Sequence, residues 1–206
     1  METLRVCLLL ILSAITAGNL NGQSDSRLQA AFANSYKSEQ SGNYVQSVSE
    51  IKTVYQSDNY SINARLGWLF FLAKQYTESV NYYEKAIKLK PYAIEVRFGL
   101  IKALDALASW ERVKEQYEAI LRIDPMNTTS LYWLGVLLYN RKDFDNAGRY
   151  FEKIVNLYPM DYGSIIMLAW TRLYQGKKAD AIVLFNQALL LSPGDTSALS
   201  GLNQLK

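Results

Sequence analysis

Between residues 60 and 195, apolar residues recur at intervals of three and four, and the stripe they form changes phase twice in every repeat. That spacing predicts pairs of amphipathic helices. In 60–93 the first stripe carries Asn63, Leu66, Gly67 and Phe70, and the second carries Val80, Tyr83, Ala86, Ile87 and Leu89. The double stripe returns in 94–127, 128–161 and 162–195. The segments "YEKAIKLKPYA", "YEAILRIDPMN", "FEKIVNLYPMD" and "FNQALLLSPGD" mark its second half. All four prolines, Pro91, Pro125, Pro159 and Pro193, fall on this period: 125 − 91, 159 − 125 and 193 − 159 each give 34. Proline lacks an N–H and crowds the preceding turn, so each one closes the second helix of its pair. Asn127, Asp161 and Asp195 follow two residues later. Their side chains suit capping of the first free N–H groups of the next helix.

With each proline at position 32, the pattern resembles the tetratricopeptide repeat family, whose period is 34 residues. The family's Leu-Gly at positions 7–8 is matched by Leu66-Gly67 and Leu134-Gly135, and by Leu168-Ala169 with one added methyl. The small residue at position 20 is Ser79, Ala147 and Ala181, and the aromatic at position 24 is Tyr83, Tyr117, Phe151 and Phe185. Position 17 is aromatic in three units, as Tyr76, Trp110 and Phe144. The second unit departs most, with Ile101, Val113 and Ile120 where smaller residues belong; these should push its helices apart. In the fourth unit Arg172 and Lys178 occupy normally apolar positions, as expected of an end unit whose outer face meets solvent.

The resemblance implies an all-α, right-handed superhelical solenoid of about five helix-turn-helix repeats, in which each repeat buries its apolar face against its neighbours. The expected organisation is a signal peptide over 1–22, an N-terminal segment over 23–59 holding a degenerate repeat, the four repeats above, and a capping helix over 196–206. In the degenerate unit "SGNYVQSV" matches the turn and the start of a second helix.

Composition narrows the chemistry. With 22 basic against 19 acidic residues, the formal charge of +3 gives no electrostatic case for a nucleic-acid partner. The chain has no histidine and its single cysteine is Cys7, which excludes His-based acid/base catalysis, Ser-His-Asp triads and most zinc or copper sites. No phosphate-cradling glycine loop occurs. The acidic pair Asp143 and Asp145 reads as charge at the start of a helix. The expectation is therefore no enzyme, no catalytic residue, no metal and no cofactor. Arg5 followed by an apolar run from Val6 to about Ala17 reads as a signal peptide cleaved between Ala17 and Gly22. The run is too short to span a bilayer. The mature chain would then lack cysteine, which suits the bacterial periplasm or secretion.

In the family, helix-A positions 2, 5, 6, 9, 12 and 13 face a concave groove. The resemblance places Trp68, Phe71, Phe98, Lys102, Tyr132, Trp133, Tyr139, Trp170 and Tyr174 there as the partner-binding set. Glu95, Asp105, Asn140, Ile166, Met167 and Leu173 join them, with Phe32 and Tyr36 from the degenerate unit, while Trp110 maps to a packing position. Aromatic side chains give large contact area with few rotors to freeze. The family's clamp for a chaperone's C-terminal carboxylate finds no match at Ala64, Trp68, Gly99, Thr129 and Trp133. The expected function is an exported, non-enzymatic scaffold holding a peptide or protein partner. A glycan or cell-wall-binding module and a self-assembling envelope component are the alternatives.

Overall fold

The computed structural model describes residues 25–206; the segment read as a signal peptide, Cys7 included, lies outside the described residues. Among the described residues all regular secondary structure is helical. The chain falls into two compact units divided between Ala108 and Ser109, inside the second repeat. The first holds α1 (25–40), α2 (Tyr44–Lys52), α3 (Tyr60–Leu72), α4 (Tyr76–Leu89) and α5 (Ile94–Ala106). The second holds α6 (Trp110–Ile123), α7 (Thr128–Asn140), α8 (Phe144–Leu157), α9 (Tyr162–Tyr174), α10 (Lys178–Leu191) and α11 (Thr196–Asn203). None of the described helices is long and apolar enough to cross a membrane.

The punctuation works as the sequence implies. Helices α4, α6, α8 and α10 end at Leu89, Ile123, Leu157 and Leu191, each two residues before a proline. Asn127, Asp161 and Asp195 accept from the backbone N–H groups of Ser130, Ser164 and Ala198 at 3.1, 2.8 and 2.8 Å. Asp143 does the same for Asn146 at 3.3 Å, while Asp145 accepts from Gln175 Nε2 at 3.0 Å. Between the two helices of a repeat within one unit the chain reverses through a left-handed residue, Gly42, Lys74, Lys142 or Gly176, with φ between 58° and 75°.

Packing runs from each helix to the next within a unit. Tyr83 on α4 inserts between α3 and α5, where Gly67 and Gly99 leave room for its ring. The hydroxyl of Ser79 donates to the Gly67 carbonyl at 2.7 Å, and that of Ser47 to the Ser35 carbonyl at 2.7 Å, so a serine pins both of these pairs. In the second unit Phe151 and Phe185 are fully buried, beside Gly135 and Gly201 respectively.

Two expectations are corrected. Arg172 does not face solvent. It is buried at 9 % exposure, because Glu152 on α8 and Gln175 lie within reach of its guanidinium at 2.8 and 2.9 Å. Lys178 is exposed as expected. Trp110, assigned to packing, is 46 % exposed at the first position of α6, whereas Tyr76 and Phe144 at the same repeat position are half-buried against Phe71 and Tyr174.

Candidate functional site

In the first unit a groove of about 830 Å³ opens where α3 lies beside α1. Helical spacing sets Arg65 and Trp68 three residues apart on α3, so both side chains reach the same stretch of α1. Arg65 is 7 % exposed. Its Nη1 pairs with Glu39 Oε2 at 2.5 Å, its Nε and Nη2 meet Ser35 Oγ at 3.2 and 3.0 Å, and Tyr36 covers its face at 3.8 Å. The other oxygen of Glu39 accepts from the Trp68 indole N–H at 2.7 Å. One carboxylate thus fixes both a buried guanidinium and a half-buried indole. Lys102 of α5 rests over the Trp68 ring at 5.4 Å, and Phe71 stacks on it at 5.8 Å. At the far edge the Tyr60 hydroxyl donates to Glu95, with Lys90 over the Tyr60 ring at 4.7 Å. That hydrogen bond holds the Glu95 carboxyl below its ordinary value, helped by Lys90. Burial, then Glu95, pushes the Tyr60 phenol upward.

In the second unit the face made by α7 and α9 differs in kind. Helix α7 carries no charged residue, and the only one on α9, Arg172, is the buried partner of Glu152. Tyr139 contacts Tyr174 at 5.9 Å, and Tyr174 stacks on Trp170 at 6.0 Å and on Phe144 at 5.0 Å. Burial, then the neighbouring Tyr174 hydroxyl, pushes the Tyr139 phenol up to about 12. Trp170 donates its indole N–H to Ser197 Oγ at 2.9 Å. Further along α7, Tyr132 meets Trp133 edge-on at 5.4 Å beside a cavity of about 320 Å³ that Thr129 and Gly163 also line. Trp133 is 48 % exposed, and its indole N–H makes no hydrogen bond among the described residues.

The candidate residues therefore fall into three groups: Trp68, Phe71 and Lys102; Tyr132 and Trp133; Tyr139, Trp170 and Tyr174. Phe98 is half-buried on α5 and joins none of these ring pairs. Sequence reasoning left out Arg65 and Glu39, which organise the first group. Arg65 stands at position 6 of its repeat, one of the groove positions, so the register itself was a signal for it. Glu39 lies in the degenerate unit, from which only Phe32 and Tyr36 were placed in the groove. Phe144, named from the sequence only as the aromatic at position 17, extends the tyrosine ladder.

Residues 60–92 and 129–159 each match a family model described as tetratricopeptide repeat. No curated protein matches the chain. Among solved structures it is similar to a tetratricopeptide repeat protein from Parabacteroides merdae ATCC 43184, with TM-score 0.72 and 18% identity over 87% of this chain and 72% of that one. It is also similar to MamA, with TM-score 0.69 and 15% identity over 81% and 92% of the two chains. A third similar structure is YrrB, described as a TPR protein with an unusual peptide-binding site, with TM-score 0.69 and 14% identity over 92% and 98%. At these identities the likeness is one of fold.

Proposed function

The chain is a tetratricopeptide repeat protein, and from that premise we propose that it is an exported, non-enzymatic scaffold that holds an extended segment of a protein partner against its helix-A faces. Proteins of this fold serve as protein–protein interaction scaffolds. One observation carries the reading furthest. The groove beside α3 combines exposed aromatic surface with side chains fixed in advance: Trp68 is held by Glu39, and Glu39 by a buried Arg65. A ligand meeting such a site finds rings whose rotamers are already chosen, so little entropy is lost on contact. The peptide-binding description of YrrB, a protein of the same fold, points the same way. Export rests on the charged and apolar start of the chain.

Selection from a random peptide library, followed by titration calorimetry, tests the scaffold reading. Replacing Trp68 and Trp170 together by alanine should weaken the selected peptides by about tenfold or more while helicity is retained. Unchanged affinity in a folded double variant overturns it. Fractionation of cells expressing the full chain tests export, and an unprocessed cytoplasmic product overturns that part.

A further inference from the structure

We propose that α10 is a self-association surface, on which two copies of this chain pair their α10 helices antiparallel about a two-fold axis at Asn186. This surface is separate from the groove of the scaffold reading and uses none of the candidate residues. Helix α10 buries Ala181, Phe185 and Ala188. At about 100° per residue, Val183, Asn186 and Leu190 fall on the opposite side, with Ile182 on the flank. Val183 is 65 % exposed, Leu190 83 % and Ile182 40 %.

The repeat itself does not require this face to be apolar. At the position of Val183 the matching helices α4, α6 and α8 carry Asn81, Glu115 and Arg149. At that of Leu190 they carry Lys88, Arg122 and Asn156, and all six are exposed. Helix α10 alone sets valine and leucine there. A helix that is apolar on both faces belongs under cover on both. The bare strip is one helix wide and about 21 Å long, the length of 14 residues, so its shape suits a second helix.

The pattern along the strip identifies that helix. Ile182 lies four residues before Asn186 and Leu190 four residues after it. A reversed copy laid across Asn186 therefore sets each Ile182 against the other copy's Leu190, as an isologous contact demands. The group on the axis must then tolerate its own image. Glu84, Glu118 and Glu152 hold that position in the other three repeats, and a carboxylate there would meet a like charge. Asn186 has an amide instead, which donates and accepts and so pairs with itself. It donates to the Ile182 carbonyl at 2.8 Å and makes no other hydrogen bond among the described residues. One N–H and the carbonyl oxygen remain for the second copy. A lone Asn in an apolar helix seam also fixes register.

Charge sets the direction. Antiparallel pairing brings Lys178, eight residues before Asn186, beside the C-terminus of the other copy's α10. The last carbonyls there carry partial negative charge. Parallel pairing would bring Lys178 against Lys178. One helix from each copy makes a small interface, so the dissociation constant is on the order of tens of micromolar.

The experiment is analytical ultracentrifugation of the full chain from about 1 to about 500 µM, which spans that value. A monomer–dimer equilibrium without larger species should appear. Leu190→Lys and Asn186→Glu each install the residue that another repeat carries at that position, so helicity should be kept. Each should weaken the dimer by about tenfold or more. The Trp68→Ala, Trp170→Ala variant should dimerise as the unaltered chain does. In a Cys7→Ser background, Asn186→Cys should cross-link copy to copy on oxidation. Ala179→Cys should not, because its counterpart lies about 20 Å away in an antiparallel pair. A monomer throughout, a dimer indifferent to both α10 variants, cross-linking at both cysteines, or loss of the dimer in the tryptophan variant overturns the proposal. So does a monomeric chain that co-sediments with phosphatidylglycerol-containing vesicles and loses them on Leu190→Lys, which would assign the face to a membrane.

Discussion

Gly99 lies under the ring of Tyr83 so closely that a Cβ added there would stand 2.4 Å from Cζ. The same ring closes on Gly67 from the other side, where an added Cβ would stand 2.7 Å from Cδ1. Two helices thus approach one aromatic side chain, and each does so through a residue without a side chain. Gly99→Ala should destabilise the protein by about 1–2 kcal/mol: overpacking costs about 1–3 kcal/mol, offset by up to about 1 kcal/mol of helix propensity. Gly163→Ala is the control, since its nearest neighbour is the Tyr132 ring at 3.7 Å. Thermal melts should show a lowered midpoint for the first variant and an unchanged or raised one for the second. A raised midpoint for Gly99→Ala would mean that the ring moves aside freely.

The contrast shows which parts of the structure were legible in the sequence. The junctions between repeats were, because most are written locally: a proline two residues past the end of α4, α6, α8 and α10, and an Asn or Asp just before α7, α9 and α11. The register was legible for the same reason, and it named Trp68, Trp133 and Trp170 without any knowledge of contacts. What stayed hidden is long-range pairing. Glu39 and Arg65 are 26 positions apart (65 − 39), and nothing in either segment announces that the two meet. Arg172 misled for a related reason. An arginine at an apolar position looks like a solvent-facing end, until a carboxylate on the neighbouring helix turns out to lie within 2.8 Å.

The Glu39–Arg65 pair should behave as a buried ion pair does. Removing Glu39 strands a guanidinium that is 7 % exposed and releases the Trp68 indole. Loss of one partner of a buried pair costs about 3–5 kcal/mol; because Glu39 is 21 % exposed, about 2–4 kcal/mol is expected for Glu39→Ala. The double variant Glu39→Ala, Arg65→Met should recover much of that loss, because an apolar side chain tolerates the site that an unpaired charge does not. Chemical denaturation of the three proteins decides the matter. Equal stability of the single and double variants would show that Arg65 finds water instead.

Left-handed turn residues give a prediction of opposite sign. Lys142 closes α7 at φ 64°, at the repeat position where Gly176 has φ 75°. A side chain at such a φ costs about 1–2 kcal/mol, while glycine adds about 0.4–1 kcal/mol of unfolded-state entropy. Lys142→Gly should therefore stabilise by roughly 0.5–1 kcal/mol, and Gly176→Ala should destabilise by a similar amount. A raised midpoint in the first and a lowered one in the second is the expected pair of melts. If Lys142→Gly lowers the midpoint, the lysine side chain contributes a contact that outweighs its backbone strain.

Alkaline stability follows from the buried phenols. Burial, with Tyr174 adding to it, raises Tyr139 from 10.0 to about 12, and burial together with Asp195 raises Tyr162 from 10.0 to about 12. Tyr60 and Tyr83 are raised further, both chiefly by burial. In the unfolded chain these groups ionise near pH 10. As pH climbs from 10 toward 12, the unfolded state releases protons that the folded state still holds, so its free energy falls relative to the folded state. Their contribution to stability is complete below pH 10 and is lost as pH rises through the folded values. The denaturation midpoint should drop over that window, and less steeply in a Tyr139→Phe, Tyr162→Phe variant, which has two fewer groups to release. Near-ultraviolet titration of the native protein should show a late class of tyrosinates, smaller in the variant. A single step near pH 10 involving every tyrosine would mean that these rings are open to water, and the ladder on α7 and α9 with them.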